Sequence, residues 1–166
     1  MLKFWLMKTE PGECSFADTW NNPGKIVSWW GIRNYQARNF MRDDMQIGDA
    51  VLFYHSSCKI PGIVGLARIA STAYPDQLQF DPSSTYFDPK SSPDKPRWLA
   101  IDVQAVQPIE RITLDVLRSH QELADMKLLA RGNRLSITPV TEQQYDFITN
   151  HLAHPLDHLT SDHFAD

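Results

Sequence analysis

The chain has 166 residues, 42% of them hydrophobic and 22% charged, with a formal net charge of −4. These proportions describe one globular domain with its own core, and the length leaves no room for two of ordinary size. The acidic balance excludes the bulk phosphate binding by which basic proteins coat DNA, so any contact with nucleic acid has to come from a local site.

Residues 3–9 read as a first strand, stopped by the Glu10-Pro11-Gly12 turn. The apolar start has a charge at each end and no small-residue cleavage site, so it reads as a strand rather than a secretion signal. Ser15 with Asp18 has the spacing of a capping box for a short helical turn, which ends near Asn21-Asn22-Pro23-Gly24. A helix is predicted over 33–43, where Asn34, Arg38 and Arg42 recur every four residues and share one face. Residues 50–55 form a short apolar run rich in aromatics, the pattern of a strand buried on both faces. A second strand over 63–69 follows after a link short enough for a hairpin. Further predicted elements are a strand from Trp98 to Val106, a helix from Asp115 to Met126, and a short strand from Leu135 to Pro139. Thr141 with Gln144 opens a last helix whose Tyr145, Ile148 and Leu152 face inward. Residues 153–166 read as a solvated tail after a single domain over 1–152.

No run of about 18 apolar residues occurs, so no membrane partner is expected. Cys14 and Cys58 are expected as free, reduced thiols, which suits a cytoplasmic protein, or a nuclear one in a eukaryote. The segment from Tyr74 to Arg97 holds five of the eleven prolines and no hydrophobic period. Loops of that length are usually lids or disordered segments. Its echo, Phe80-Asp81-Pro82-Ser83-Ser84 and Phe87-Asp88-Pro89-Lys90-Ser91, is too brief for a repeat and reads as Asx-type turn chemistry used twice.

The most informative stretch is Trp29 to Asn39, with three aromatics, two arginines and two asparagines in eleven residues. Aromatic faces stack on flat heterocycles, guanidinium groups bring charge, and Asn offers a donor and an acceptor together. That mixture suits a nucleotide. No metal centre is expected: His151, His154 and His158 are interrupted by Pro155 and lack a completing Cys or carboxylate. No cofactor is implied either, since Arg131-Gly132-Asn133-Arg134 has one glycine where a phosphate-cradling loop needs more.

Several segments in order resemble the EVE domain family. They are Trp5 to Pro11, Trp29 to Asn39, Phe53 to Cys58 with Pro61 to Gly65, Ala73 to Phe80, Pro96-Arg97-Trp98, and Arg134-Leu135-Ser136. The resemblance covers residues 4 to 152. It implies an α+β, PUA-like fold: a small mixed β-barrel flanked by helices, related to the YTH and ASCH domains. It further implies a pocket for a single base and a role in reading modified DNA bases such as 5-methylcytosine and 5-hydroxymethylcytosine. Trp29 aligns with the family tryptophan. Trp30 departs from the pattern, which commonly places an acidic residue there.

On this reading Trp29 is a stacking platform, against a plain role as core tryptophan, and Tyr35 or Trp98 supplies a second wall. Asn34, Asn39 and Ser56 read polar edges, while Lys8, Arg33 and Arg134 hold flanking phosphates. Ser136 shares a strand face with Arg134, and Glu10 with Lys8 forms charged pocket walls. His55 is expected to hydrogen-bond a base or phosphate. As neighbours on a strand, His55 and Ser56 point to opposite faces, which argues against a nucleophile and its base. The expected function is a non-catalytic reader of a modified base, with modified DNA as preferred partner and RNA as alternative. A hydrolase of modified nucleotides using His55 and Glu10 is the competing class.

Overall fold

The computed structural model describes residues 1–165. Among them run seven strands: β1 (Phe4–Thr9), β2 (Ile26–Trp29), β3 (Ala50–His55), β4 (Gly62–Ile69), β5 (Tyr74–Pro75), β6 (Leu99–Thr113) and β7 (Ile137–Val140). The short helices α1 (Phe16–Asn21), α2 (Tyr35–Asn39), α3 (Leu114–Arg118) and α4 (Glu142–Phe147) connect them. The strand order is β2-β6-β4-β3-β1-β7, with β5 paired to β6. β1 and β3 are parallel, while the remaining pairs are antiparallel.

Residues of alternate parity build two cores. Trp5, Met7, Val51 and Phe53 face one side of the central strands, and Leu6, Leu52 and Tyr54 face the other. This is the period of two expected of pleated strands, and burial on both sides is why β3 is apolar up to its last residue, His55. The sheet is strongly curled. The rings of Trp29 on β2 and Phe53 on β3 have centroids 5.2 Å apart, although β6 and β4 lie between those strands in the sheet. Phe16 fills the inside of the curl. A Cβ on Gly65 would lie 2.1 Å from its ring, so glycine at that point of β4 is what admits it. The outer face is covered by α3, α4 and the turns between them, through Leu117, Leu123, Met126, Leu128 and Ile148. The result is the mixed α+β, PUA-like barrel that the resemblance implies.

Both capping boxes form, Ser15 with Asp18 and Thr141 with Gln144. Other boundaries differ from the sequence reading for definite reasons. α2 begins at Tyr35, not 33, because Asn34 is its extended N-cap, accepting a hydrogen bond from Ala37 N. The helix then widens into a π-type turn over Phe40–Asp44. β2 was not foreseen, being only four residues long. β6 continues well past Val106, because Pro108 sits where the β4–β6 register shifts and its missing N–H breaks no ladder bond. The helix expected over 115–126 stops at Arg118, and separate turns follow at Gln121–Leu123 and Lys127–Leu129.

The tail over 153–165 is mostly exposed, as expected, but it is tied to the fold at a few points. Pro155 bridges Ile109, and Arg111 pairs with Asp162 at 3.2 Å. His163 is fully buried: its Nε2 lies 2.9 Å from the Val64 carbonyl and 3.0 Å from that of Ile109, and Nδ1 accepts from Thr160 N. Val64 and Ile109 fall in the irregular stretch between β4 and β6. The imidazole therefore satisfies carbonyls that the bulge takes out of the ladder.

Gly65→Ala forces a methyl into the ring of Phe16. The expected outcome is a loss of about 1–3 kcal/mol in urea denaturation, with an unchanged m-value, as for other overpacked cores.

Candidate functional site

At one end of the curled sheet the chain leaves a cavity of about 340 Å³. Its walls come from five places: the end of β1 with Lys8, Thr9 and Glu10; the turn carrying Glu13 and Cys14; Ser28 to Ile32; Ser56 and Ser57 after β3; and Arg134 with Ser136 before β7. Tyr86, from the long segment between β5 and β6, completes the lining. Trp29 is only 5% exposed and forms the floor, its indole set edge-on against Phe53. Trp30 is half-buried and meets Tyr86 edge to face at 5.5 Å.

The segment from 74 to 97 is a strap fastened at defined points. Asp76, 2% exposed, accepts hydrogen bonds from Gly31 N at 2.8 Å, Leu78 N at 2.9 Å and the Arg33 guanidinium at 3.0 Å. Arg33 also donates to the Tyr86 carbonyl through two nitrogens, at 3.0 and 2.8 Å. Gln79 is fully buried and holds both ends of the strap. Its amide donates to the carbonyls of Asp76 and Trp98, and its Oε1 accepts from Ser91 Oγ, Arg97 N and Trp98 N. The repeated Phe-Asp-Pro sequences are the two Asx turns expected of them: Asp81 accepts from Ser83 N, and Asp88 from Lys90 N. This fastening lays Tyr86 over Gly31, where φ is +84° and a Cβ would lie 3.0 Å from the phenol ring. Glycine is required there for both conformation and space.

Charge in the cavity is divided. Lys8 and Arg134 form no ion pair among the described residues. Burial lowers the pKa of Lys8 from its ordinary value. Glu13 accepts the Tyr86 hydroxyl through both carboxylate oxygens, at 2.7 and 3.0 Å. Burial, reinforced by that bond, pushes the Tyr86 phenol up to about 12. Burial also raises the Cys14 thiol, partly offset by its hydrogen bond with Thr19. Partly buried polar groups therefore sit beside the aromatic residues of the lining.

Of the residues singled out in the sequence, Lys8, Trp29, Ser56, Arg134 and Ser136 line this cavity, as does Glu10. The others are placed elsewhere. Tyr35 and Trp98 do not form its second wall; they stack on each other 4.7 Å apart outside it, with the Arg38 guanidinium 4.7 Å over Tyr35. Arg33 lies outside the lining and donates to Asp76 and to the Tyr86 carbonyl. Asn34 caps α2, and Asn39 accepts from Arg38. His55 is 1% exposed and its Nε2 accepts from Phe16 N at 3.0 Å, which ties α1 to β3. Sequence reasoning missed Glu13, Cys14, Ser28, Gly31 and Tyr86. For Tyr86 the available signal was the anomalous length of its loop; for Gly31 it was a glycine directly after paired tryptophans.

A curled mixed sheet with short flanking helices and a cavity at one end is the architecture of a PUA-like domain. The chain belongs to the EVE domain family, whose model matches residues 3–151. It is 42% identical over 163 residues to mouse thymocyte nuclear protein 1, covering 87% of this chain and 71% of that protein. Among solved structures, human THYN1 protein in complex with 5-methylcytosine containing DNA aligns with a TM-score of 0.84 at 41% identity, covering 89% of this chain and 96% of that one. A hypothetical protein from Leishmania major aligns with a TM-score of 0.85 at 42% identity, covering 90% and 94%.

Asp76→Ala leaves the largely buried Arg33 without its partner, so a loss of about 3–5 kcal/mol is expected in denaturant unfolding. The strap loosens with it. In an ultraviolet titration the Tyr86 phenol then moves from about 12 towards the ordinary value, while Tyr54, also raised to about 12 by burial, stays. A raised phenol pKa stabilises the fold while the phenol is neutral. That contribution is whole below about pH 10 and is lost as pH climbs through about 12.

Proposed function

We propose that the chain is a non-catalytic nucleic-acid-binding module that receives one modified base, of the 5-methylcytosine type, flipped from DNA into the cavity. The observation that carries this reading is the cavity itself. It combines a tryptophan floor, the Trp30–Tyr86 wall and two cations without ion-pair partners among the described residues, in a space of about 340 Å³. The complex of the human relative with 5-methylcytosine containing DNA supports the same class of partner. Extruding a base costs a few kcal/mol, and stacking on aromatics returns about 1–3 kcal/mol per base. On this reading Lys8 and Arg134, both in the cavity lining, hold flanking phosphates. With so few cations, binding should weaken only modestly as salt rises.

A hydrolytic role for His55 is not supported by its setting. The ring is buried and outside the cavity lining, and its Nε2 is engaged by the start of α1.

The test is an anisotropy titration of matched DNA and RNA strands, plain or carrying one methylated or hydroxymethylated cytosine. Trp30→Ala is the informative variant, because Trp29 is too deeply packed to remove without damage to the core. A modified DNA strand is expected to bind more tightly than its plain counterpart, and Trp30→Ala to weaken it roughly tenfold or more. Equal binding of all strands, indifferent to Trp30→Ala, would refute the reader. Preference for the RNA strand would reassign its partner.

A further inference from the structure

A second cavity of about 330 Å³ lies beside the first, lined by Phe40, Leu135 and Pro139, with Lys127 and Arg131 among its polar residues. The two share one wall. Along the segment before β7, Arg134 and Ser136 line the first cavity, whereas Asn133 and Leu135 line the second. The segment is therefore a partition with a pocket on each side.

The charge along this partition is one-sided. From Met126 to Thr141 the chain has three cations, Lys127, Arg131 and Arg134, and no carboxylate, in a protein of net charge −4. Among the described residues none of the three forms an ion pair. Thr138 adds an independent sign of a ligand site. It lines the second cavity, is 1% exposed, and its hydroxyl has no hydrogen-bond partner among the described residues. Buried polar groups are nearly always satisfied, and an incoming hydrogen-bonding edge would satisfy this one. Phe40 opens the π-type turn after α2, a distortion that recurs at functional sites, and its ring packs on Trp5 with centroids 5.3 Å apart.

We infer that the second cavity takes the nucleotide next to the one in the first, so that the strand crosses the partition and is read as two adjacent units. The base of the second nucleotide lies against Phe40, Leu135 and Pro139, and its phosphate meets Lys127 and Arg131. Arg134 stands between, at the phosphate that joins the two. This inference rests on the first cavity being a nucleotide site, and it extends the interface in one direction along the strand.

The experiment compares 5-methyldeoxycytidine monophosphate with single-stranded DNAs extended from it by one to four nucleotides on the 5′ or the 3′ side. Each is titrated against the full chain and against Lys127→Glu/Arg131→Glu. Thermal melts control for folding. The wild type is expected to gain about tenfold in affinity on extension to one side only. The double variant should lose that gain while binding the mononucleotide as before. Its log–log salt slope on the extended strand should fall by about 0.7 for each phosphate contact removed. If the variant keeps both the gain and the slope, the second site is overturned while the first stands. If the mononucleotide and all strands fail to bind either protein, both readings fall. Capture of an apolar small molecule by the second cavity, with strand affinity indifferent to Lys127 and Arg131, would also overturn the inference.

Discussion

The functional end of the molecule depends on one buried carboxylate. Asp76 gathers Gly31 N, Leu78 N and the Arg33 guanidinium, and so joins the segment after β2 to the strap after β5. Those two segments are far apart in sequence and contribute no strand pairing to each other. Without the carboxylate, two backbone amides and a guanidinium would lose their acceptor in a partly buried place, a cost that makes the arrangement nearly all-or-none. Because Arg33 also holds the Tyr86 carbonyl, the same node aligns Tyr86 over Gly31 and then, through Glu13, fixes the phenol hydroxyl. The wall of the cavity is the end of a chain of hydrogen bonds that begins at Asp76.

A second buried carboxylate plays the corresponding part in the core. Asp49, fully buried, accepts from Trp5 Nε1 at 2.9 Å, Gln46 N at 2.9 Å and Lys3 N at 3.0 Å. It clamps the start of β1 to the turn before β3 and thereby sets the register of the parallel pair. The register in turn decides that Lys8, Thr9 and Ser56 emerge at the same end. The polar rim is thus a consequence of strand alignment, and the aromatic interior a consequence of curl, since only a curled sheet brings Trp29 to Phe53. Site and fold are not separable here.

Much of this was legible in the residues. The apolar run of β3, the hairpin into β4 and both capping boxes follow from local periodicity and side-chain chemistry, and all are present. The cationic and hydroxyl residues at strand ends were legible too, because a strand end in a barrel points at its mouth. What failed were readings that assigned a side chain to solvent or ligand without knowing its tertiary partner. Arg33, Asn34, Asn39 and Trp98 have the chemistry of nucleotide contacts, but each finds a partner within the chain: a carboxylate, an amide of its own helix, an adjacent arginine, and Tyr35. Tyr86 failed in the other direction. Nothing local distinguishes it from any tyrosine in a proline-rich loop; only the fastening by Asp76 and Gln79 carries it to the cavity. The docking of His163 is not legible locally either, since the carbonyls that it satisfies are freed by a bulge between strands distant from it in sequence.

The distribution of charge bears on how a reader of this kind could discriminate. With a net charge of −4 and a few rim cations, the phosphate term is small, so on the proposed reading most of the affinity has to come from burying the base. A methyl group buried against tryptophan is worth about 0.8 kcal/mol, roughly a factor of four in affinity. That increment is minor against a strongly basic surface that holds any strand, because the plain strand is then bound almost as fully. It is decisive where total affinity is modest and the cost of flipping is barely recovered. An acidic protein with a tight aromatic cavity therefore turns a small chemical difference into a difference in occupancy, which a basic one would mask.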